Sequence, residues 1–571
     1  MIDYSKWYRP LVMGRECMVS SGHPQATLAA IQVLKRGGNA VDAGVAMGLC
    51  LNVIQPDFTN FGGVAPIMIY LATEDIVITI SGLGTWPQAV SIDLIQRRGG
   101  VITEEGFLSS IVPSAPDAWI TALDQYGTMA FTDVVHHALN LAQHGFPAYS
   151  LFINNLQNRS KYHQWGSTRR IFYPSGNPPR LGELIIQQDL ARTFKRLMHI
   201  EHQHRHQGRH KALQAVRDAF YQGSIAHELA TYVQKHGGIL TKEDLAQFHV
   251  DIEAPVKTTY RDIEVYCCGP WCQGPVNALT LNILEEYELQ NMEHNSAPYI
   301  HILTSALDLA FADRERFIGD PRFVDVPIED LVSKSYAATR RKLIQPNQTW
   351  GQMPPFGNLC GSSTAFNSLD SLPQTTKAPP RDTSYGCVID SEGNGFSATP
   401  SDGGRLVPEL GIVVSPRGTQ SWLDPNHPSA VEPGKRPRLT PNPALALKDG
   451  QPFLIFGTPG GDSQPQTMVQ LLVNIVDFHM TVQEAIAAPR FRSENFPNSF
   501  WPHTYLPGRL NIESRIPLKV RAKLQQMGYD IHPYPELTWN CGGACAILVD
   551  SDRGVLMGGA DPRRECYALG Y

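Results

Sequence analysis

At Thr383 a loop rich in Pro, Ser and Thr gives way abruptly to an apolar strand: Lys377 to Asp390 reads KAPPRDTSYGCVID. A threonine hydroxyl is a weak nucleophile unless a base lies within hydrogen-bond reach. The residue's own α-amine can be that base once the preceding peptide bond is cut. An α-amine with an unperturbed pKa of about 8 suits proton transfer near neutral pH. The chemistry therefore asks for a threonine at a strand start with a cleavable segment before it, and Thr383, preceded by Asp382, meets both conditions. The plainer reading is a linker that ends in Thr.

Acyl transfer also needs hydrogen-bond donors where an oxyanion develops. GTPGGDSQPQ, Gly457 to Gln466, supplies a strand end, a Pro turn, the adjacent Gly460 and Gly461, and a helix start. Glycine lets backbone N–H groups approach a ligand closely, and a helix start adds a favourable dipole. The alternative is an ordinary strand-to-helix turn.

These residues need a scaffold, and the hydrophobic pattern supplies one. PQATLAAIQVLKRGGNAVDAGVAMGLCLNVIQP reads as two helices broken at Gly37-Gly38, and FTNFGGVAPIMIYLATEDIVITISGLG as a hairpin. Residues 120–345 are mostly helical, interrupted by a capped turn at Thr241 to Asp251 and a strand pair in PVKTTYRDIEVYCCGP. Residues 345–382 show no periodicity and read as a flexible pre-cleavage loop, since loops of that length inside a domain are usually functional or disordered. Beyond it, three hairpins turn at Ser391–Asn394, at Asp449-Gly450 and within GACAILVDSDRGVLMGGA, with helical segments between the last two. Strand pairs alternating with paired helices predict a layered α+β sandwich.

Composition narrows the function. With 42% apolar and 18% charged residues and a net charge of −6, the chain reads as a globular protein without a basic face for nucleic acid. The N-terminal stretch lacks a secretory pattern, and the longest apolar run, AVDAGVAMGLCLNVI, is short and broken by Asp42, so the expectation is a cytoplasmic protein with no membrane partner. Ten cysteines (Cys17, Cys50, Cys267, Cys268, Cys272, Cys360, Cys387, Cys541, Cys545 and Cys566) show no paired CxxC spacing, so buried free thiols are expected rather than a disulfide framework or zinc ribbon. CGGAC, Cys541 to Cys545, lies in a Gly turn feeding a strand and is not read as a metal site. His199, His202, His206 and His210 in HIEHQHRHQGRH fall on one helical face, where metal capture is conceivable; with Arg205 and Arg209 beside them, a solvated insertion at a helix surface is the favoured reading.

Taken together, the motifs resemble the γ-glutamyltransferase family of self-cleaving Ntn hydrolases. SSGHPQATLAAIQVLKRGGNAVDAGVA, DTSYGCVIDSEGN, EPGKRPRLTPNPALALKDG and GTPGGDSQPQTMVQLLVNIVDFHMTVQEAIAAPRF occur in the family's order, over about Val19 to Gly570. The resemblance implies a four-layer αββα sandwich and autocleavage between Asp382 and Thr383. It implies a large subunit of residues 1–382 and a small one of 383–571 sharing one core. It makes Thr383 the nucleophile, Gly460 and Gly461 the oxyanion hole, and Ser401 the hydroxyl that steadies the nucleophile. No metal or organic cofactor is implied. The partners are a small-molecule amide and the two subunits of one precursor, which could pair further as a homodimer of processed heterodimers.

The departures concern substrate. Transpeptidase members hold the γ-glutamyl carboxylate with an Arg after the first hairpin and a Ser-Ser pair after GKRP; here SGLGTWPQAV has no Arg, and Arg438-Leu439-Thr440 follows GKRP. Where they bind the α-amine with an acidic residue, SPRGTQSW offers Arg417 and Gln420. Arg417, Arg438 and Thr440 are candidates to hold an anionic group, because guanidinium forks match carboxylates; Arg438 could equally close a turn. GGDSQPQ and ADPRR look closer to the branch with oxamate amidohydrolase-like proteins, where Asp462, Gln464 and Gln466 would line the pocket or cap the helix. The expected function is an amidohydrolase for a small anionic acyl group. The alternatives are a γ-glutamyltransferase or glutathione hydrolase, a cephalosporin (glutaryl) acylase-like enzyme, and an inactive paralogue that binds.

Overall fold

The computed structural model describes residues 8–158, 161–359, 372–373 and 383–571. Asp382 and most of the expected pre-cleavage segment beyond residue 359 lie outside the described residues. Two seven-stranded sheets face each other, and helices cover both outer faces. The first sheet is built in the order Tyr567–Gly570, Met18–Ser21, Gly386–Ile389, Gly395–Ala398, Ile67–Leu71, Ile76–Ile80, Ile252–Glu253. The second runs Val12–Gly14, Val555–Ala560, Cys545–Asp550, Gln451–Gly457, Ala444–Lys448, Ile263–Cys267, Val256–Tyr260. Every ladder in both is antiparallel. This is the expected αββα sandwich, and strands from both sides of Thr383 interleave in each sheet.

The period-2 alternation of strand side chains decides the layering. Met68, Tyr70, Cys387, Ile389, Leu445, Ile455 and Ile547 fill the space between the sheets. Their neighbours Ile67, Ile69, Val388 and Phe396 face the helix pair Pro24–Lys35 and Ala40–Ile54. On the opposite side Ala446, Leu454 and Phe456 face Pro275–Leu284 and Ser463–Val476. The Ala40–Ile54 helix lies so close to its sheet that a Cβ on Gly44 would sit 2.1 Å from the Phe396 ring. Asp42, which interrupts the apolar run, is buried yet satisfied: it accepts from the N–H groups of Asn39, Thr128 and Met129 and from the Thr128 hydroxyl.

The histidine-rich segment departs from expectation. The helix ends at His204, and Gly208, at φ +96°, separates it from the next helix, Arg209–Tyr221, so the four histidines do not line one helical face. His210 turns instead to Asp124 at 2.9 Å. No described helix is long and apolar enough to cross a membrane.

Candidate functional site

The register of one hairpin assembles the centre of the site. Gly386 pairs with Ala398 and Ile389 with Gly395 around a turn held by Asp390, whose carboxylate accepts from the N–H groups of Glu392 and Asn394. The other Asp390 oxygen accepts the Ala40 N–H at 2.8 Å, which ties the turn to a helix N-terminus. Continued beyond the strand, the same register sets Thr383 opposite Ser401 in an isolated antiparallel bridge, and Ser401 opposite Val64 on the next strand. Directly opposed side chains are near neighbours, and Thr383 Oγ1 lies 3.0 Å from Ser401 Oγ. Both residues are buried, at 2% and 0% exposure.

Thr383 shares its face with Tyr385 and Cys387, which point between the sheets. The facing strand Gln451–Gly457 ends under Tyr385: a Cβ on Gly457 would lie 2.3 Å from the Tyr385 ring. The chain then turns through Gly460 (φ +126°) and Gly461 (φ +57°) into the Ser463–Val476 helix. Their carbonyls accept from the N–H groups of Ser463 and Gln464, while their own N–H groups have no acceptor among the described residues. Two free amides at the start of a helix suit a developing negative charge.

Arg417 joins these parts. It opens a single 3-10 turn, Arg417–Gln420, and is buried. Its Nη2 donates to Ser401 Oγ, its Nε donates to Asp402 Oδ1 at 2.5 Å, and its Nη1 donates to Thr440 Oγ1 at 3.1 Å and Gln420 Oε1 at 3.3 Å. Gln420 Nε2 also donates to Thr440 Oγ1, at 3.1 Å. The Phe500 ring lies against the guanidinium, 5.3 Å from centroid to Cζ, and 3.6 Å from where a Gly461 Cβ would be. Gln273 closes the circuit by donating from Nε2 to both the Thr440 and the Gly461 carbonyls, each at 3.0 Å. Thr383, Ser401, Arg417, Gln420, Thr440, Gly460 and Gly461 therefore gather at one locus.

The remaining candidates stand around it. Asp462 accepts from Arg314 at 2.6 Å and from the Ser499 N–H and hydroxyl, so its carboxylate braces the glycine turn from below. Gln464 Oε1 accepts the Asn442 N–H, and Gln466 bonds the Asp462 and Ser493 backbone. Arg438 is buried and turned away from Thr383: its guanidinium donates to Glu315 at 2.7 Å and to the Arg314 and Ile318 carbonyls. Burial pushes the Glu315 carboxyl upward, but Arg438, Arg314 and His427 outweigh it and hold it well below the usual carboxylate range. Burial brings His427 down to about 3; it stays neutral, donating Nε2–H to Glu315 and accepting the Ser429 N–H at Nδ1. With Arg436 bound to Asp320 and Glu253, these pairs clamp the loop that presents Thr440.

Sequence reasoning missed Asp402, Gln273, Phe500 and Arg314. Only Asp402 carried a local signal, as the residue after Ser401 in the turn sequence Ser-Asp-Gly-Gly; its φ is +83°. Among the described residues no three His, Cys, Asp or Glu side chains converge as a metal site would require, and the nine described cysteines are buried free thiols. Residues 345–359, the described start of the expected loop, are pinned by His301 at the Gln345 carbonyl, Tyr505 at the Met353 N–H and Asp313 at the Gly357 N–H. Chemically, the locus offers a buried threonine hydroxyl at a strand start, a second hydroxyl upon it, a fixed cation and, among the described residues, two free amides.

Known proteins resemble the chain over nearly its whole length. The profile of the family described as Gamma-glutamyltranspeptidase matches residues 26–571. The chain is 32% identical over 566 residues to the Glutathione hydrolase-like YwrD proenzyme of Bacillus subtilis, covering 98% of this chain and 99% of that protein. It is 29% identical over 566 residues to the Acylase ACY 1 proenzyme of a Pseudomonas species, covering 96% and 92%. The crystal structure of cephalosporin acylase from Bacillus halodurans superposes with a TM-score of 0.84 at 27% identity, covering 100% of this chain and 99% of that one.

Proposed function

Because the chain belongs to the gamma-glutamyltranspeptidase family, we propose that it is made as a precursor, cuts itself before Thr383, and then hydrolyses the amide of a small anionic acyl group. It is an amidohydrolase of the Ntn type, as its acylase and glutathione hydrolase relatives are. In self-cleavage, Thr383 Oγ attacks the Asp382 carbonyl, the Asp382–Thr383 C–N bond breaks to release the Thr383 α-amine, and water hydrolyses the resulting ester to free the Thr383 hydroxyl and leave a carboxylate on Asp382. Residues 1–382 and 383–571 then remain together as large and small subunits, consistent with the proenzyme names of the relatives. In turnover the α-amine takes the Thr383 hydroxyl proton as Oγ attacks the substrate carbonyl, and returns it to the departing amine. The Gly460 and Gly461 N–H groups receive the oxyanion, and water resolves the acyl-enzyme.

The observation that carries this reading is the 3.0 Å contact of Thr383 Oγ1 with Ser401 Oγ beside a buried guanidinium. The same guanidinium argues for substrate class. A carboxylate at the far end of the acyl group is attracted by Arg417, whereas the α-ammonium of a γ-glutamyl group would meet Arg417 and Gln420 with no free carboxylate among the described residues of this wall to receive it. Asp402 is spent on Arg417 and Ser415, and an unpaired buried charge is discriminated against strongly.

A panel of 4-nitroanilides tests this. Glutaryl anilide, with a carboxylate and no α-amine, is expected to show a higher kcat/KM than γ-glutamyl anilide and than neutral butyryl anilide. Preference for γ-glutamyl anilide, with stimulation by a dipeptide acceptor, would establish a γ-glutamyl transferase instead. Preference for butyryl anilide would remove the anionic specificity.

A further inference from the structure

We propose that Arg417, aimed by Asp402, fixes the direction of the hydrogen bond between Ser401 and Thr383, keeping Ser401 the donor and the reacting oxygen of Thr383 the acceptor. The proposal rests on the reading of Thr383 as the nucleophile. Two facing hydroxyls can bond either way round. If Thr383 donates to Ser401, the proton that must leave the nucleophile is tied up in a bond pointing away from the base. If Ser401 donates, the Thr383 proton is left for the α-amine, and the Thr383 oxygen is stabilised as it gains charge.

A guanidinium breaks this symmetry because it has five N–H groups and no acceptor. Arg417 Nη2 occupies a Ser401 lone pair, polarises that hydroxyl and turns its O–H outward, toward Thr383 Oγ1. The cation has little freedom to do otherwise. Its Nε is bound to Asp402 and its Nη1 to Gln420 and Thr440, and its face rests on Phe500. Asp402 is fixed in turn: its second oxygen accepts the Ser415 hydroxyl at 2.5 Å, and its backbone takes φ +83°. The next residue, Gly403, has no room for a side chain, since a Cβ there would lie 2.2 Å from the Asp57 carbonyl oxygen. The chain Asp402, Arg417, Ser401, Thr383 thus runs from an immobilised carboxylate to the nucleophile with each donor assigned. Arg417 and Asp402 act as positioning residues. The proton leaving Thr383 Oγ goes to the α-amine as the C–O bond forms and returns to the departing amine, so the relay itself gains and loses none.

A double-mutant cycle separates this role from packing and from substrate binding. In the Ser401 background, Arg417→Met is expected to lower kcat for glutaryl 4-nitroanilide by about 10²-fold, the scale of losing one charge-stabilising donor. Arg417→Lys, which keeps a cationic donor, is expected to recover about tenfold of that loss. In the Ser401→Ala background the same Arg417 substitutions are expected to change kcat by less than about 3-fold, because the hydroxyl they act through is gone. A role of Arg417 in anion binding alone would move KM and leave kcat unchanged in both backgrounds; a packing role would lower kcat equally in both. Either of those results for Arg417→Lys, the milder change, overturns the relay. A wild-type chain that neither cuts itself nor hydrolyses any anilide removes the Thr383 reading and the relay with it, whereas an active wild type with multiplicative costs removes the relay alone.

Discussion

Arg314 and Asp462 form a buried ion pair, 2.6 Å from Nη1 to Oδ1, directly beneath the turn that carries Gly460 and Gly461. Arg314 also bonds Gln273, which holds the Gly461 carbonyl, so one guanidinium supports the turn from two sides. Stranding a buried charge outright costs about 3–5 kcal/mol, but Arg314 keeps Glu315 at 2.7 Å when Asp462 is removed. Asp462→Ala is therefore expected to lose stability by less than that scale in urea unfolding and to lower kcat while leaving KM nearly unchanged. A raised KM with unaltered stability would instead assign the carboxylate to substrate.

The glycine turn permits a second prediction. Gly460 sits at φ +126° and Gly461 at φ +57°, the left-handed half of backbone space that residues with a Cβ avoid. Gly460→Ala would set its Cβ 3.2 Å from the Ser463 Cβ. The expected cost is about 1–3 kcal/mol, with a fall in kcat larger than the stability loss explains. Turnover of Gly460→Ala at the wild-type rate would show that this amide does not receive the oxyanion.

Gln420 tests the basis of specificity. Its Oε1 accepts from Arg417 and its Nε2 donates to Thr440. Gln420→Glu places a carboxylate where the pocket otherwise has none to spare and offsets the cation. The ratio of γ-glutamyl to glutaryl anilide kcat/KM is expected to rise about tenfold in this variant, the scale of about 1.4 kcal/mol. An unchanged ratio would mean that the α-amine of the substrate does not approach this wall.

Much of the site is legible in local sequence, and the reason is geometric. A turn at Asp390 to Asn394 fixes a hairpin register, and counting outward residue by residue sets Thr383 across from Ser401. The glycine pair announces its own turn. Bracing is a different matter, because its partners are remote: Gln273 reaches Gly461 over 188 positions and Arg438 reaches Glu315 over 123. Arg438 and Arg417 are the same residue type, each near a site motif, and only tertiary pairing distinguishes them. The strands Val12–Gly14, Met18–Ser21 and Tyr567–Gly570 are likewise too short to show alternation and exist through long-range ladders such as Met18 with Gly570.

A buried carboxylate on the helix behind the site should respond to pH. Burial raises Asp308 to about 7, although the Ser493 hydroxyl and the Asn495 amide donate to it. The folded pKa lies above the unfolded one, so the folded state binds the proton more tightly. Its stabilising contribution is full below about pH 4 and is lost as pH rises through about 7. The melting temperature of wild type minus that of Asp308→Asn is therefore expected to fall between pH 5 and pH 8. A difference that stays flat over this range would mean that Asp308 is ionised throughout.

Intact mass and N-terminal sequencing of purified wild type beside Thr383→Ala test the central claim most directly. Wild type is predicted to yield two chains that stay associated, the smaller beginning Thr-Ser-Tyr-Gly, while Thr383→Ala remains a single chain of 63.2 kDa. A wild-type chain that stays whole after prolonged incubation would lack a free α-amine at Thr383 and contradict the account.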